Sequence, residues 1–190
     1  GRNVLRGDLQ FSREFLPSGQ LTFDFPDLSL LAALAAQQAS GDVKGDIALS
    51  NSGGKIAATI RATGGTIAQG TTTISKLAAD LKIDDLTALA ANGNVRAETI
   101  NAGAVAISGL NLNVDHAGTA TTFDLNGRYD NAPLTLKGSA DTGAGPIAVT
   151  VDALSATQRG IPVKLVQPTT VTITNGTARI SNLSIQTGNG

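Results

Sequence analysis

The sequence predicts an all-β protein: an elongated, antiparallel β-sheet with one or two short helices. Three observations carry that reading. Short runs of Val, Ile, Leu and Thr alternate with polar residues, the period-two signature of strands with one apolar and one polar face. Clusters of Gly, Asn, Asp and Pro punctuate the runs. The apolar residues are aliphatic: aromatic side chains make up only 3% of the chain. Phe11, Phe15, Phe23 and Phe25 gather near the start, leaving Phe123 and Tyr129 for the rest.

The elements follow in order. Asp27 is placed to cap a helix in the segment 27–39, running Leu28–Gln38, where Leu28, Leu31, Leu34 and Ala35 share a face. Gly41 supplies its left-handed stop. Val43, Gly45, Ile47 and Leu49 then fall on one face of a strand, with Asp42, Lys44 and Asp46 on the other. The turn Asn51-Ser52-Gly53-Gly54 leads into Ile56, Ala58 and Ile60, and Gly64-Gly65 reads as a further turn. Leu77–Ile83 is the next strand. Asp84 or Asp85 can cap a second helix in 85–91, over Leu86–Ala91, stopped by Gly93.

The alternation returns at Leu110–Val114, Phe123–Leu125, Leu134–Leu136, Ile147–Val151, Val163–Leu165, Val171–Ile173 and Leu183–Ile185. Turn signals stand between these runs at His116-Ala117-Gly118, Asn126-Gly127, Gly143-Ala144-Gly145-Pro146 and Asn175-Gly176. Val171–Thr174, Asn175-Gly176 and Thr177–Ile180 form the clearest hairpin. The two helix-to-strand passages, Asp27 through Lys44 and Asp85 through Arg96, echo each other as a weak internal repeat. Repetition of that kind suggests a stacked, elongated architecture.

Charge and composition exclude several function classes. Lys plus Arg is 14 and Asp plus Glu is 15, a net charge of −1, so no basic excess is available to neutralise phosphates. Binding to nucleic acid is not expected. The absence of Cys removes disulfides, thiolate metal sites and Cys nucleophiles. The longest apolar run, 28–36, broken only by Ser29, is about half of what a bilayer span requires. No signal peptide follows Arg2 and Arg6, and the abrupt start and the ending Gly188-Asn189-Gly190 read as an excerpt of a longer protein.

Catalytic constellations are missing. His116 reads as a solvated turn histidine without a Ser, Cys or metal partner at recognisable spacing. Asp80, Asp84 and Asp85 lack the alternating pattern of a calcium loop. Gly64-Gly65 and Asn92-Gly93-Asn94 match neither a phosphate loop nor a dinucleotide fingerprint. Arg6-Gly7-Asp8 is the integrin-type tripeptide, a motif short enough to arise by chance. Asn175-Gly176-Thr177 and Asn182-Leu183-Ser184 fit the glycosylation acceptor pattern, the first better explained as a hairpin turn. The sequence predicts no enzyme and no cofactor.

The unit Asp27-Leu28 with its Ala/Leu helix, followed by Gly41-Asp42-Val43-Lys44-Gly45-Asp46-Ile47-Ala48-Leu49-Ser50, resembles the recurring unit of the TamB family. These are the translocation and assembly module subunits, within the AsmA-like superfamily of bridge-like lipid transfer proteins. Phe123-Asp124-Leu125-Asn126-Gly127-Arg128 and Leu134-Thr135-Leu136-Lys137-Gly138 are similar to its strand rhythm. So is the stretch from Arg159-Gly160-Ile161-Pro162-Val163-Lys164-Leu165 through Asn175-Gly176-Thr177-Ala178-Arg179-Ile180 to Leu183-Ser184-Ile185. The resemblance implies a periplasmic protein of a Gram-negative bacterium, anchored in the inner membrane, with its sheet rolled into an open, apolar-lined trough (a β-taco).

Such a trough would move phospholipids between the two membranes and support outer-membrane protein assembly with a barrel partner of the TamA type. That partner would be contacted through regions outside this excerpt. Acyl chains would lie on Ile47, Leu49, Ile56, Ile60, Leu112, Val114, Phe123, Leu125, Leu134, Leu136, Ile147, Val149, Val151, Val163, Leu165, Val171, Ile173, Leu183 and Ile185. About a dozen strands at 4.7–4.9 Å spacing would give a sheet roughly 55–60 Å long. Composition alone leaves two alternatives open: a closed, low-aromatic sandwich, and a structural or adhesive β-repeat passenger of a secreted surface protein.

Overall fold

The computed structural model describes residues 2–34, 38–86, 88, 90–141, 147–174 and 177–188. They form one sheet of fourteen strands and a single short helix. The strands are β1 (Val4–Phe11), β2 (Pro17–Phe25), β3 (Ala39–Ser52), β4 (Lys55–Gln69), β5 (Thr72–Asp85), β6 (Ala90–Ala102) and β7 (Val105–Ala117). They continue with β8 (Ala120–Tyr129), β9 (Ala132–Asp141), β10 (Ile147–Gln158), β11 (Ile161–Leu165), β12 (Thr169–Thr174), β13 (Thr177–Ser181) and β14 (Ile185–Thr187). Helix α1 (Ser29–Leu34) lies between β2 and β3.

From β1 to β11 each strand pairs antiparallel with its sequence neighbours, so the sheet grows as a meander. At β10 the sheet forks. Residues 147–151 pair with β12, which carries β13, while residues 155–158 pair with β11, which carries β14. A β-bulge between Val151 and Ala153 coincides with the change of partner. The end strands β1 and β14 do not pair, so the sheet is open and not a barrel. The all-β, open antiparallel class is therefore the observed one.

Register explains why alternation in each strand becomes a face of the whole sheet. One row of directly opposed residues runs Leu5, Phe23, Gly45, Ala62, Ala79, Val95, Leu112, Leu125, Leu136 and Leu154. The next row on that face runs Gly7, Leu21, Ile47, Ile60, Leu81, Gly93, Val114, Phe123, Gly138 and Val151. The opposite face carries Thr22, Asp46, Arg61, Asp80, Asn94, Asn113, Asp124 and Lys137 in register. Opposed charges there form cross-strand pairs, Arg61 with Asp80 at 3.7 Å and Lys137 with Asp124 at 2.9 Å.

A line of irregularities crosses β3 to β5 and recurs in β7. A bulge between Gly41 and Val43 is held by Asp42, whose carboxylate accepts the backbone N–H groups of Gly65 at 2.9 Å and Thr66 at 3.3 Å. Lys76 and Gly109 have positive φ of 47° and 58° on strands β5 and β7. These shifts reverse the odd–even phase, so that Ile67 returns to the face of Gly64 and Ile60. Beyond the line, Ile67, Ile74, Ile100, Ile107 and Tyr129 form a further row.

Several sequence expectations need correction. Among the described residues the first helix spans Ser29–Leu34, with Asp27 capping it through a 2.9 Å bond accepted from the Ser29 N–H. Residues 35–37 lie outside the described residues, and so does the apolar face expected of Leu31, Leu34 and Ala35. Gly41 is no stop: it sits in β3 and its carbonyl accepts the Leu28 N–H at 2.9 Å. The second helix, 85–91, is absent at its described positions. Asp85 pairs with Ala90 across the β5–β6 hairpin, and Ala90, Ala91 and Gly93 belong to β6, so strand pairing takes both ends of the segment. Thr87 and Leu89 lie outside the described residues.

Gly64-Gly65 and Asn126-Gly127 lie within β4 and β8 instead of in turns. The hairpin after β8 turns at Asp130-Asn131, both with positive φ, because an Asp-Asn pair tolerates the left-handed region. Thr174 does pair with Thr177, closing the expected hairpin, although Asn175-Gly176 and 142–146 lie outside the described residues.

Candidate functional site

The candidate site is the apolar face itself. Eighteen of the nineteen residues expected to line it lie in strands: Ile47 and Leu49 in β3, Ile56 and Ile60 in β4, Leu112 and Val114 in β7, Phe123 and Leu125 in β8, and Leu134 and Leu136 in β9. Ile147, Val149 and Val151 follow in β10, Val163 and Leu165 in β11, Val171 and Ile173 in β12, and Ile185 in β14. Their registers put them on one face, for instance Ile47 opposite Ile60, Val114 opposite Phe123, and Val149 opposite Val171. Leu183 is the exception: it lies between β13 and β14, outside any strand, and is exposed.

The face also includes residues that the lining omitted. Leu77, Ala79, Leu81 and Ile83 of β5 and Val95 and Ala97 of β6 continue the same rows through the middle of the sheet. The alternation at Leu77–Ile83 is plain in the sequence and was the available signal. Leu154 escapes because the β10 bulge changes its parity relative to Val151.

No second layer covers this face among the described residues. Among the described residues the buried apolar side chains are Ala58, Ala90 and Ala97, all alanines, and no large side chain is fully buried. Most lining residues are half-buried: strand neighbours shield their flanks and leave their tips open. The accessible surface is 11852 Å². A compact domain of 19.2 kDa would expose about 8,400 Å². The excess is what a single uncovered layer produces.

Glycines shape the face. A β-carbon on Gly45 would collide with the Arg61 carbonyl oxygen and stand 2.9 Å from Phe23 Cζ; one on Gly138 would collide with the Thr150 carbonyl oxygen and stand 2.5 Å from Phe123 Cζ. In both cases the Phe is the direct cross-strand partner, so its ring lies over the glycine. Large side chains over strand glycines are how a long sheet creases without leaving a gap. This accounts for the position of two of the few aromatic residues.

His116 departs from its expected setting. It lies in β7, half-buried, opposite Thr121, with Nδ1 and Thr121 Oγ1 2.9 Å apart. Its backbone N–H donates to Asn92 Oδ1 at 2.8 Å. The strand extends as far as Ala117 before turning at Gly118, which places the imidazole on the sheet and not in a solvated turn. His116 and Thr121 form a polar spot near one rim of the apolar face.

The polar face holds a depression of about 830 Å³ across β2 to β6, walled by Asp24, Lys44, Asp46, Arg61, Asp80 and Arg96 over Gly45, Ala62 and Ala79. Its charged walls set it apart from the apolar rows. Among the described residues, no group of three or more His, Asp or Glu side chains gathers as a metal site. No helix there is long and apolar enough to cross a membrane. No family model, curated protein or solved structure matches the chain.

Proposed function

We propose that this sheet is a segment of a periplasm-spanning bridge protein of the TamB kind, conducting phospholipids between the inner and outer membranes along its apolar face. The parent would be anchored in the inner membrane and would support outer-membrane protein assembly through a barrel partner of the TamA type. The observation that supports the reading is the apolar face, continuous from β1 to the fork and covered by no second layer among the described residues. Water against such a surface costs roughly 25 cal/mol for every Å². An acyl chain laid on it recovers about 0.8 kcal/mol per buried methylene. The apolar surface therefore favours lipid tails, with no bond made or broken.

A closed, filled interior would have favoured the alternative, an adhesive β-repeat passenger; an open antiparallel sheet favours the conduit. The test is mass spectrometry of lipids extracted from the chain purified without detergent. Phospholipid at a defined stoichiometry supports the reading. A folded protein that carries no more lipid than a control β-protein contradicts it.

A further inference from the structure

The rows of the apolar face hold one polar pair. The two rows through Leu112 and Val114 contain no polar side chain from β1 to β10. Two residues further along each strand, the row from Leu9 to Val149 is aliphatic or glycine at every position but two. The two are His116 and Thr121, directly opposed on β7 and β8. Both strands are interior, hydrogen-bonded to a neighbour on each side.

The pair is built to aim one nitrogen away from itself. Nδ1 lies 2.9 Å from Thr121 Oγ1, and Thr121 is only 9% exposed. The His116 N–H donates to Asn92 Oδ1 at 2.8 Å, which holds the strand beneath the ring. Nε2, on the far side of the ring from Thr121, has no hydrogen-bond partner among the described residues. Small residues leave room around it: Ala140 follows Thr121 in the row, and Gly118 turns the chain just beyond. The neighbouring pair, Asp115 and Thr122, belongs to the polar face by strand alternation.

A hydrogen-bonding group at the border of an apolar surface suits an amphiphile, with acyl chains on the rows of Val114 and Leu112 and an acceptor at the rim. We propose that His116 Nε2 binds the phosphate of the phospholipid headgroup, Thr121 holding the ring in place. The inference rests on the phospholipid reading above and names the residue that separates a phospholipid from an uncharged lipid with the same tails. The Thr121 hydroxyl donates to Nδ1, so the ring proton sits on Nε2 and is donated to a phosphate oxygen. A charged acceptor makes this the stronger kind of hydrogen bond.

The chain has one histidine, so its imidazole resonances in a nitrogen NMR spectrum need no assignment. The test titrates dihexanoyl phosphatidylglycerol, dihexanoylglycerol and inorganic phosphate into the wild type, His116→Leu and His116→Gln, each checked by circular dichroism. The phospholipid should move the wild-type Nε2 resonance, and inorganic phosphate at the same concentration should not. His116→Leu should lose about tenfold in affinity for the phospholipid and none for the diacylglycerol. His116→Gln, which keeps an N–H donor, should recover part of the loss. An Nε2 resonance that the bound phospholipid leaves unmoved overturns the proposal, whatever the variants do. Equal movement by inorganic phosphate overturns the headgroup assignment in favour of a free anion. Two lipids that bind His116→Leu as they bind the wild type overturn the role of His116 and leave the phospholipid reading standing. Binding of neither lipid to the wild type overturns both.

Discussion

Gly138 shows how much one missing side chain carries. Its partner Phe123 covers it, and the Thr150 carbonyl oxygen of the next strand approaches where a β-carbon would stand. Gly138→Ala should cost about 2–3 kcal/mol of stability by forcing backbone apart. Gly127→Ala, where the nearest atom would be 3.4 Å away, should shift stability by less than about 1 kcal/mol. Urea denaturation of the two variants makes the comparison.

Asp124 gives a pH signature. The Lys137 ammonium 2.9 Å away, and then the Asn126 amide donating at 2.7 Å, hold its carboxyl below the ordinary aspartate value. A lowered folded pKa stabilises above the unfolded value and is lost as pH falls through the folded one. The melting temperature should therefore decline below about pH 4, and less steeply in Asp124→Asn. Equal acid slopes would contradict this assignment.

At the scale of the strand, β10 tests the two-faced design. Val149 stands on the apolar face between Ala140 and Val171, while Thr150 points to the other, 3.3 Å from Thr170 across hydroxyl oxygens. With no layer above it, an arginine at position 149 can reach water, so Val149→Arg should fold with a loss of about 1–2 kcal/mol. It should also abolish lipid binding, whereas Thr150→Arg should preserve it. Thermal melts and lipid extraction of both variants decide; an unfolded Val149→Arg would mean a filled core.

The strands were legible because alternation over Val43–Leu49 or Ile147–Val151 has one physical cause, burial on one side. The bulges were not. Gly64-Gly65 reads as a turn locally, and only the phase break between Ile60 and Ile67 tells that the strand continues. The helix proposed for 85–91 failed for the complementary reason: good helix formers there were overridden by the pairing of Asp85 with Ala90. Nor could His116 be placed, since its strand extends three residues further than Val114, where the apolar pattern stops.

As a whole, the described residues form a single layer with aliphatic side chains on one face and charge on the other, open along its length and forked at one end. Its central claim is that the apolar face carries acyl chains. Photoactivatable amino acids placed singly at Leu112, Leu125 and Leu136 on that face, and at Asn113 and Asp124 on the other, test it directly. Irradiation with phospholipid should give lipid adducts at the three leucine positions and none at Asn113 or Asp124. Adducts spread equally over both faces, or absent from the leucine positions of a folded protein, would contradict the account.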